Sequence, residues 1–204
     1  WDYGPGGDDH RNNFIANYLY SLPKGSRIWS NFATKTVLDN WQISGIVSYL
    51  SGAPDSISFS TADGADLDGG GDGTRVLLTG NPMQGAPHTF KEYFNTSVAQ
   101  RPSQGTLTQR SNGNAPKVDL YDPGVFNMDT ALFKNFPIWE RVTAQIRVET
   151  YNTLNHPEFN GFDSAAKFSK PDANGNSTQS NATFVQLNDS AGPRTMQVAL
   201  RINF

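Results

Sequence analysis

The final ten residues constrain the fold more tightly than any other stretch of this chain. Met196, Val198, Leu200, Ile202 and Phe204 fall on one face of an extended strand, and Thr195, Gln197, Ala199, Arg201 and Asn203 fall on the other, because successive side chains of a strand point to opposite sides. A second run repeats the pattern. Val142, Ala144, Ile146, Val148 and Thr150 alternate with Arg141, Thr143, Gln145, Arg147, Glu149 and Tyr151. One face is apolar and the other carries charge. Such a strand suits a half-solvated antiparallel sheet, or an outer-membrane barrel with lipid outside and a polar lumen inside.

Three more strands are expected. Phe126 to Phe136 pairs with the Arg141 strand through a tight turn at Pro137 to Glu140, forming a hairpin. Phe14 to Tyr20 alternates until Pro23 stops it, and Trp41 to Ser51 runs up to Gly52-Ala53-Pro54. At about ten residues each, these strands match the ~9 to 11 residues needed to cross a bilayer at a tilt and exceed the ~5 to 6 usual in soluble sheets. The fold class is all-β: an antiparallel meander of about five or six long strands.

Composition narrows the function classes. The chain has 204 residues, with 13 Phe, seven Tyr and four Trp against 17% charged residues, too much apolar surface for a disordered tail. This is the size of one β domain or barrel segment spanning residues 1–204. A formal net charge of -3 provides no basic field for nucleic acid. With no cysteine, a disulfide scaffold, a Cys-ligated zinc site and a cysteine nucleophile are excluded. No stretch has the ~18 consecutive apolar residues of a spanning helix, a test that β-barrel strands escape. Residue 1 is Trp rather than Met, as expected of a processed product or a fragment.

Two insertions, 56–123 and 159–193, are rich in Gly, Asn, Asp and Ser and longer than ordinary connections. In the first, Phe90, Tyr93, Phe94 and Val98 lie near helical spacing and predict one short helix over Thr89 to Gln100. The same insertion contains Asp63, Asp66, Asp68 and Asp72 spaced by glycines. Calcium takes six to eight oxygen ligands, and glycines let a loop fold tightly enough to converge them. These four aspartates are therefore the candidate metal ligands and Ca2+ the candidate cofactor. The spacing lacks the closing Glu of an EF-hand and does not repeat, so a solvated Asp/Gly loop is the competing reading.

Catalysis finds little support. There is no Gly-x-Ser-x-Gly elbow, and His10, His88 and His156 sit beside prolines or turns, as surface histidines do. A glycosidase needs only two carboxylates across a cleft, and Glu92, Glu140, Glu149 and Glu158 are available for that. The chain is expected to be no enzyme; if it is one, a carboxylate-dependent glycoside hydrolase is the expected type. Trp29, Trp41, Tyr49, Trp139 and Phe204 fall near strand ends, where membrane barrels carry aromatic girdles; core packing in a soluble sandwich is the equal alternative.

The order of several short motifs resembles a known family. Asp9-His10-Arg11-Asn12-Asn13-Phe14 is followed by Tyr20-Ser21-Leu22-Pro23, Trp41-Gln42-Ile43-Ser44-Gly45-Ile46 and Ser51-Gly52-Ala53-Pro54. Tyr93-Phe94-Asn95, Asn127-Met128-Asp129 and Leu132-Phe133-Lys134-Asn135-Phe136 come next. Arg147-Val148-Glu149-Thr150-Tyr151-Asn152, Leu154-Asn155-His156-Pro157 and a terminal strand ending in Phe204 complete the series. In this order the motifs resemble the C-terminal barrel portion of TonB-dependent outer-membrane receptors, in particular the Oar-like group with a carboxypeptidase-regulatory-like N-terminal domain. The terminal aromatic resembles the signal read by the barrel-assembly machinery.

The resemblance implies energised uptake of a bulky nutrient, a glycan or siderophore, across the outer membrane of a Gram-negative bacterium. Its implied partners are membrane lipid and the remainder of a receptor barrel of about 22 strands. No binding residue carries across, because the family's ligand contacts vary with the substrate. Two other readings stand beside it: a soluble secreted β-domain that binds or hydrolyses polysaccharide, and a self-assembling surface or fibre protein with strand edges pairing between copies.

Overall fold

In the computed structural model the described residues are 3–67, 74–103 and 112–204. Five long strands form one antiparallel sheet in chain order: β1 (Asn13–Ser21), β2 (Trp41–Leu50), β3 (Val125–Trp139), β4 (Val142–Tyr151) and β5 (Thr195–Asn203). This is the expected meander. The β3–β4 turn is tighter than the sequence predicts. β3 runs on through Pro137 to Trp139 and leaves only Glu140 and Arg141 in the turn. The register shifts between Pro137 and Trp139, and such an irregularity accommodates a proline, which has no N–H for the ladder.

Register aligns the alternation of all five strands. Tyr20, Ile43, Leu132, Val148 and Val198 share one row across the sheet. Directly paired residues point to the same face, so the apolar sets add into one surface. It runs from Phe14 and Ala16 through Val47 and Met128 to Ile146 and Leu200. The β5 contribution is open to its surroundings, with Val198 73% exposed. Within this face Tyr18 covers Gly45: any Cβ there would overlap the Tyr18 ring and the Asp129 carbonyl. The Tyr18 hydroxyl then reaches Thr130 Oγ1 at 3.2 Å, tying three strands. The opposite face carries Ser44, Glu149 and Gln197 in one row, and Gln42 with Arg147 in the next.

Connections divide by end. Asn13, Leu50, Val125, Tyr151 and Thr195 lie at one end of the sheet, and both long insertions leave from it. From the other end come the Glu140–Arg141 turn and the β1–β2 connection, which holds α1 (Phe32–Leu38). Asn31 caps that helix: its side chain accepts from Thr34 N at 2.8 Å while its own N–H donates to Thr34 Oγ1 at 3.1 Å, a reciprocal capping box.

The insertions fold as a second compact unit. A parallel ladder joins Ser58–Thr61 to Ala165–Phe168, and antiparallel ladders pair Pro54–Asp55 with Leu120–Tyr121, Leu77–Leu78 with Ala99–Gln100, and Phe159–Phe162 with Leu187–Ser190. Their core comprises Ile57, Val76, Phe94, Leu120, Phe162, Phe168, Phe184 and Val185 among others. Phe94 is fully buried and meets Phe162 and Phe184 edge to face, each at 5.4 Å. The predicted helix over Thr89 to Gln100 is absent. One 3-10 turn, Thr96–Val98, leads directly into the strand Ala99–Gln100. Phe90, Tyr93, Phe94 and Val98 lie near helical spacing, yet the rings that meet Phe94 come from Phe162 and Phe184, distant in the chain, and Asn95 breaks the run by accepting from Ser97 N.

Candidate functional site

Two surfaces could meet a solute, one in each unit. On the sheet it is the polar face of β2 to β5. Alternation puts Ser44, Asp129, Arg147, Glu149 and Gln197 there, and the sheet fixes their spacing. Arg147 pairs with Glu149, and Glu149 Oε2 accepts from Gln197 Nε2 at 2.7 Å. The Arg147 guanidinium lies 5.0 Å from the centre of the Phe133 ring, a cation–π contact. Asp129 Oδ1 accepts from Asn127 Nδ2 at 3.1 Å and from Asn152 N at 2.9 Å. A shallow recess of ≈ 190 Å³ opens among Ser44, Asp129, Arg147 and Glu149. This ladder of an ion pair, a carboxylate and amides offers hydrogen bonds to a hydrated, hydroxyl-rich solute.

In the insertion unit a pocket of ≈ 400 Å³ is lined by Leu78, Asn81, Pro82, Met83, Val118, Asp119 and Tyr121. Asp119 Oδ1 accepts from Ile57 N at 3.0 Å, while Oδ2 is buried without a hydrogen-bond partner among the described residues. Burial, with the neighbouring Asp55 charge adding to it, pushes the Asp119 carboxyl up to about 6. Asp122 is pushed up to about 6 by the same two causes. The Asp119 and Asp122 amides donate to the Asp55 and Ala53 carbonyls at 3.2 and 2.8 Å, so the Pro54–Asp55 ladder brings all three carboxylates together. Gly52 is required beside them, since a Cβ would overlap the Asp122 carbonyl. Sequence reasoning passed over Asp119 and Asp122. The only local signal is the short alternation Val118-Asp119-Leu120-Tyr121, which does not reveal that Asp55 lies across the ladder.

Of the four candidate calcium ligands, Asp68 and Asp72 lie outside the described residues. Asp63 is engaged by Arg101, whose Nη1 and Nη2 each donate to one of its oxygens at 3.2 Å. Nη1 also donates to Ser169 O at 2.6 Å. The guanidinium beside Asp63 holds its carboxyl below the usual range. Asp66 sits three residues on, and among the described residues no cluster of three or more His, Asp or Glu is arranged to hold a metal ion.

The histidines are distributed rather than convergent. His10 Nδ1 is 2.5 Å from Ser51 O. His88 stands edge-on to Tyr93 at 5.2 Å, and His156 Nδ1 is 2.9 Å from Glu158 Oε1. Glu158 is buried and its other oxygen accepts from Phe126 N at 2.9 Å, so that carboxylate fastens the start of β3. Among the aromatics, Trp41 opens β2, Tyr49 lies near its end, Trp139 closes β3 and Phe204 follows β5. Trp29 lies in the β1–β2 connection and not on a strand.

No curated protein and no solved structure matches the chain. A family model described as an outer membrane beta barrel domain matches residues 1–197, and the two-faced sheet of long strands is the architecture such a domain requires. The chain belongs to this outer-membrane β-barrel family and is a protein of the Gram-negative outer membrane.

Proposed function

We propose that the five strands form the C-terminal part of the barrel of a TonB-dependent receptor for energised uptake of a bulky nutrient, a glycan or a siderophore. The observation that carries the reading is the open five-stranded sheet with one apolar and one polar face. Its outer strands, β1 and β5, each pair on one side only within the described residues, so further strands must close it. The Arg147–Glu149 ion pair and the Gln197 amide bonded to it suit a wet lumen, and the large insertion unit suits a receptor that recognises its ligand outside the membrane. The ordered motifs resembling the Oar-like receptors point the same way.

Calcium is a companion proposal. It would draw on Asp66, Asp68, Asp72 and loop carbonyls rather than on Asp63, whose charge Arg101 already compensates. A rise in melting temperature with calcium, reversed by chelator, is its test. For uptake the test is genetic: deleting the coding sequence, and separately disabling the inner-membrane energiser, should abolish growth on the same glycan or siderophore-bound iron. Unchanged growth in the first strain, or loss in the first with growth intact in the second, would refute the receptor reading.

A further inference from the structure

The β1–β2 connection is long for the end of the sheet that carries the tight Glu140–Arg141 turn, and it exposes large apolar side chains. Ile28 is 83% exposed, Trp29 74% and Phe32 86%. Hydrogen bonds fasten the β2 end of this segment to side chains on the apolar face of the sheet. Trp41 Nε1 donates to Val37 O at 2.7 Å, and Lys134 Nζ donates to Asp39 O. Trp41 and Lys134 are paired neighbours in the row next to Ile43 and Leu132, on the face that meets lipid. Lys134 also lies 5.3 Å from the Trp41 ring and 5.2 Å from that of Phe136. At the other side of the segment, Ser26 N and Oγ donate to Asp39 at 2.9 and 2.6 Å, closing the connection into a fixed shape. Those bonds hold the Asp39 carboxyl below its usual range and occupy the segment's single negative charge, whereas Lys24, Arg27 and Lys35 bring three positive ones.

From this geometry we infer that the β1–β2 connection is an interfacial anchor. Ile28, Trp29 and Phe32 enter the boundary between headgroups and acyl chains of the periplasm-facing leaflet, and Lys24, Arg27 and Lys35 meet lipid phosphates. Short turns mark the periplasmic end of such barrels. Exposed aromatic and aliphatic side chains interspersed with basic ones, continuous with a lipid-facing surface, are what an interfacial segment needs. Basic residues beside it gain from anionic headgroups. The inference rests on the lipid-facing assignment of the sheet and is independent of what the receptor transports.

Trp29 supplies its own reporter. The protein and its Trp29→Phe variant are reconstituted in phosphatidylcholine vesicles with and without phosphatidylglycerol, and the difference between their emission spectra is the Trp29 component. Lipids brominated near the headgroup end of their chains should quench that component strongly, and aqueous iodide should quench it weakly. Reversing Arg27 and Lys35 to Glu should reduce the bromine quenching in phosphatidylglycerol vesicles. Quenching by iodide and not by bromine overturns the inference. Val198→Trp in the Trp29→Phe background is the control and should respond to bromines deep in the bilayer. If it does while Trp29 stays in water, the anchor is refuted and the sheet assignment stands. If neither meets bromine, both are refuted.

Discussion

Asp119 and Asp122 are the residues whose chemistry departs furthest from their type. With both carboxyls pushed up to about 6 from the ordinary 3.8, the folded insertion unit binds more protons than the unfolded chain between about pH 4 and pH 6. Stability is therefore greatest at the acid end of that window and falls as pH rises through about 6. Asp63, held low by Arg101, acts in the opposite sense, and its contribution is lost below the usual carboxylate range. Thermal melts across this range should show Asp119→Asn flattening the decline; an unchanged slope would locate the titration elsewhere. Phe94 tests the core. Phe94→Ala should cost about 3 to 5 kcal/mol, read as denaturant unfolding of the insertion unit. Arg101→Leu, which removes the donor to both Asp63 and the Ser169 carbonyl, should lower the unfolding midpoint of the insertion unit in the same measurement. Sequence could single out Asp63, because carboxylates among glycines announce themselves locally. It could not supply Arg101, 38 residues away, since the pairing depends on how the insertion folds.

At the scale of elements, legibility tracked the range of the forces involved. All five long strands were readable because each carries its own period of two, and register then made the faces agree across the sheet. β5 is the sharpest case. Val198→Arg should cost about 2 to 4 kcal/mol if that position lies near the bilayer midplane, measured as the equilibrium folding yield into lipid vesicles. A cost near zero would remove Val198 from the lipid face. The two departures from the expected helices differ in cause. Thr89 to Gln100 has the spacing of a helix, yet it is held by contacts to residues distant in the chain, such as Tyr93 N–H to Val185 O at 3.0 Å. The real helix, α1, is only seven residues long, contains β-branched Thr34, Thr36 and Val37, and owes its start to Asn31. So short a helix has little propensity of its own and leaves almost no period to read. Asn152 and Asn155, by contrast, explain a motif that the sequence displayed without a reason. Both adopt left-handed backbone, at φ 52°, and their side chains hold the turn after β4. Asn152 Nδ2 donates to His156 O at 3.1 Å, and Asn155 Oδ1 accepts from Arg194 N at 3.0 Å.

For the molecule as a whole, the central claim is that one face of a five-stranded sheet meets membrane lipid and the other meets water. Family membership and the register argue for it together, because no soluble partner for so broad an apolar face is needed once lipid covers it. The absence of cysteine from the sequence makes the claim directly measurable. Single cysteines introduced in turn from Thr195 to Asn203 and spin-labelled in isolated outer membranes report access to oxygen, which concentrates in lipid, and to a water-soluble nickel chelate. Oxygen access should peak at positions 196, 198, 200 and 202 and chelate access at the positions between, with a period of two. Equal access along the strand, or shielding of 196, 198, 200 and 202 from both reagents, would contradict a lipid-facing β5 and with it the barrel assignment of this sheet.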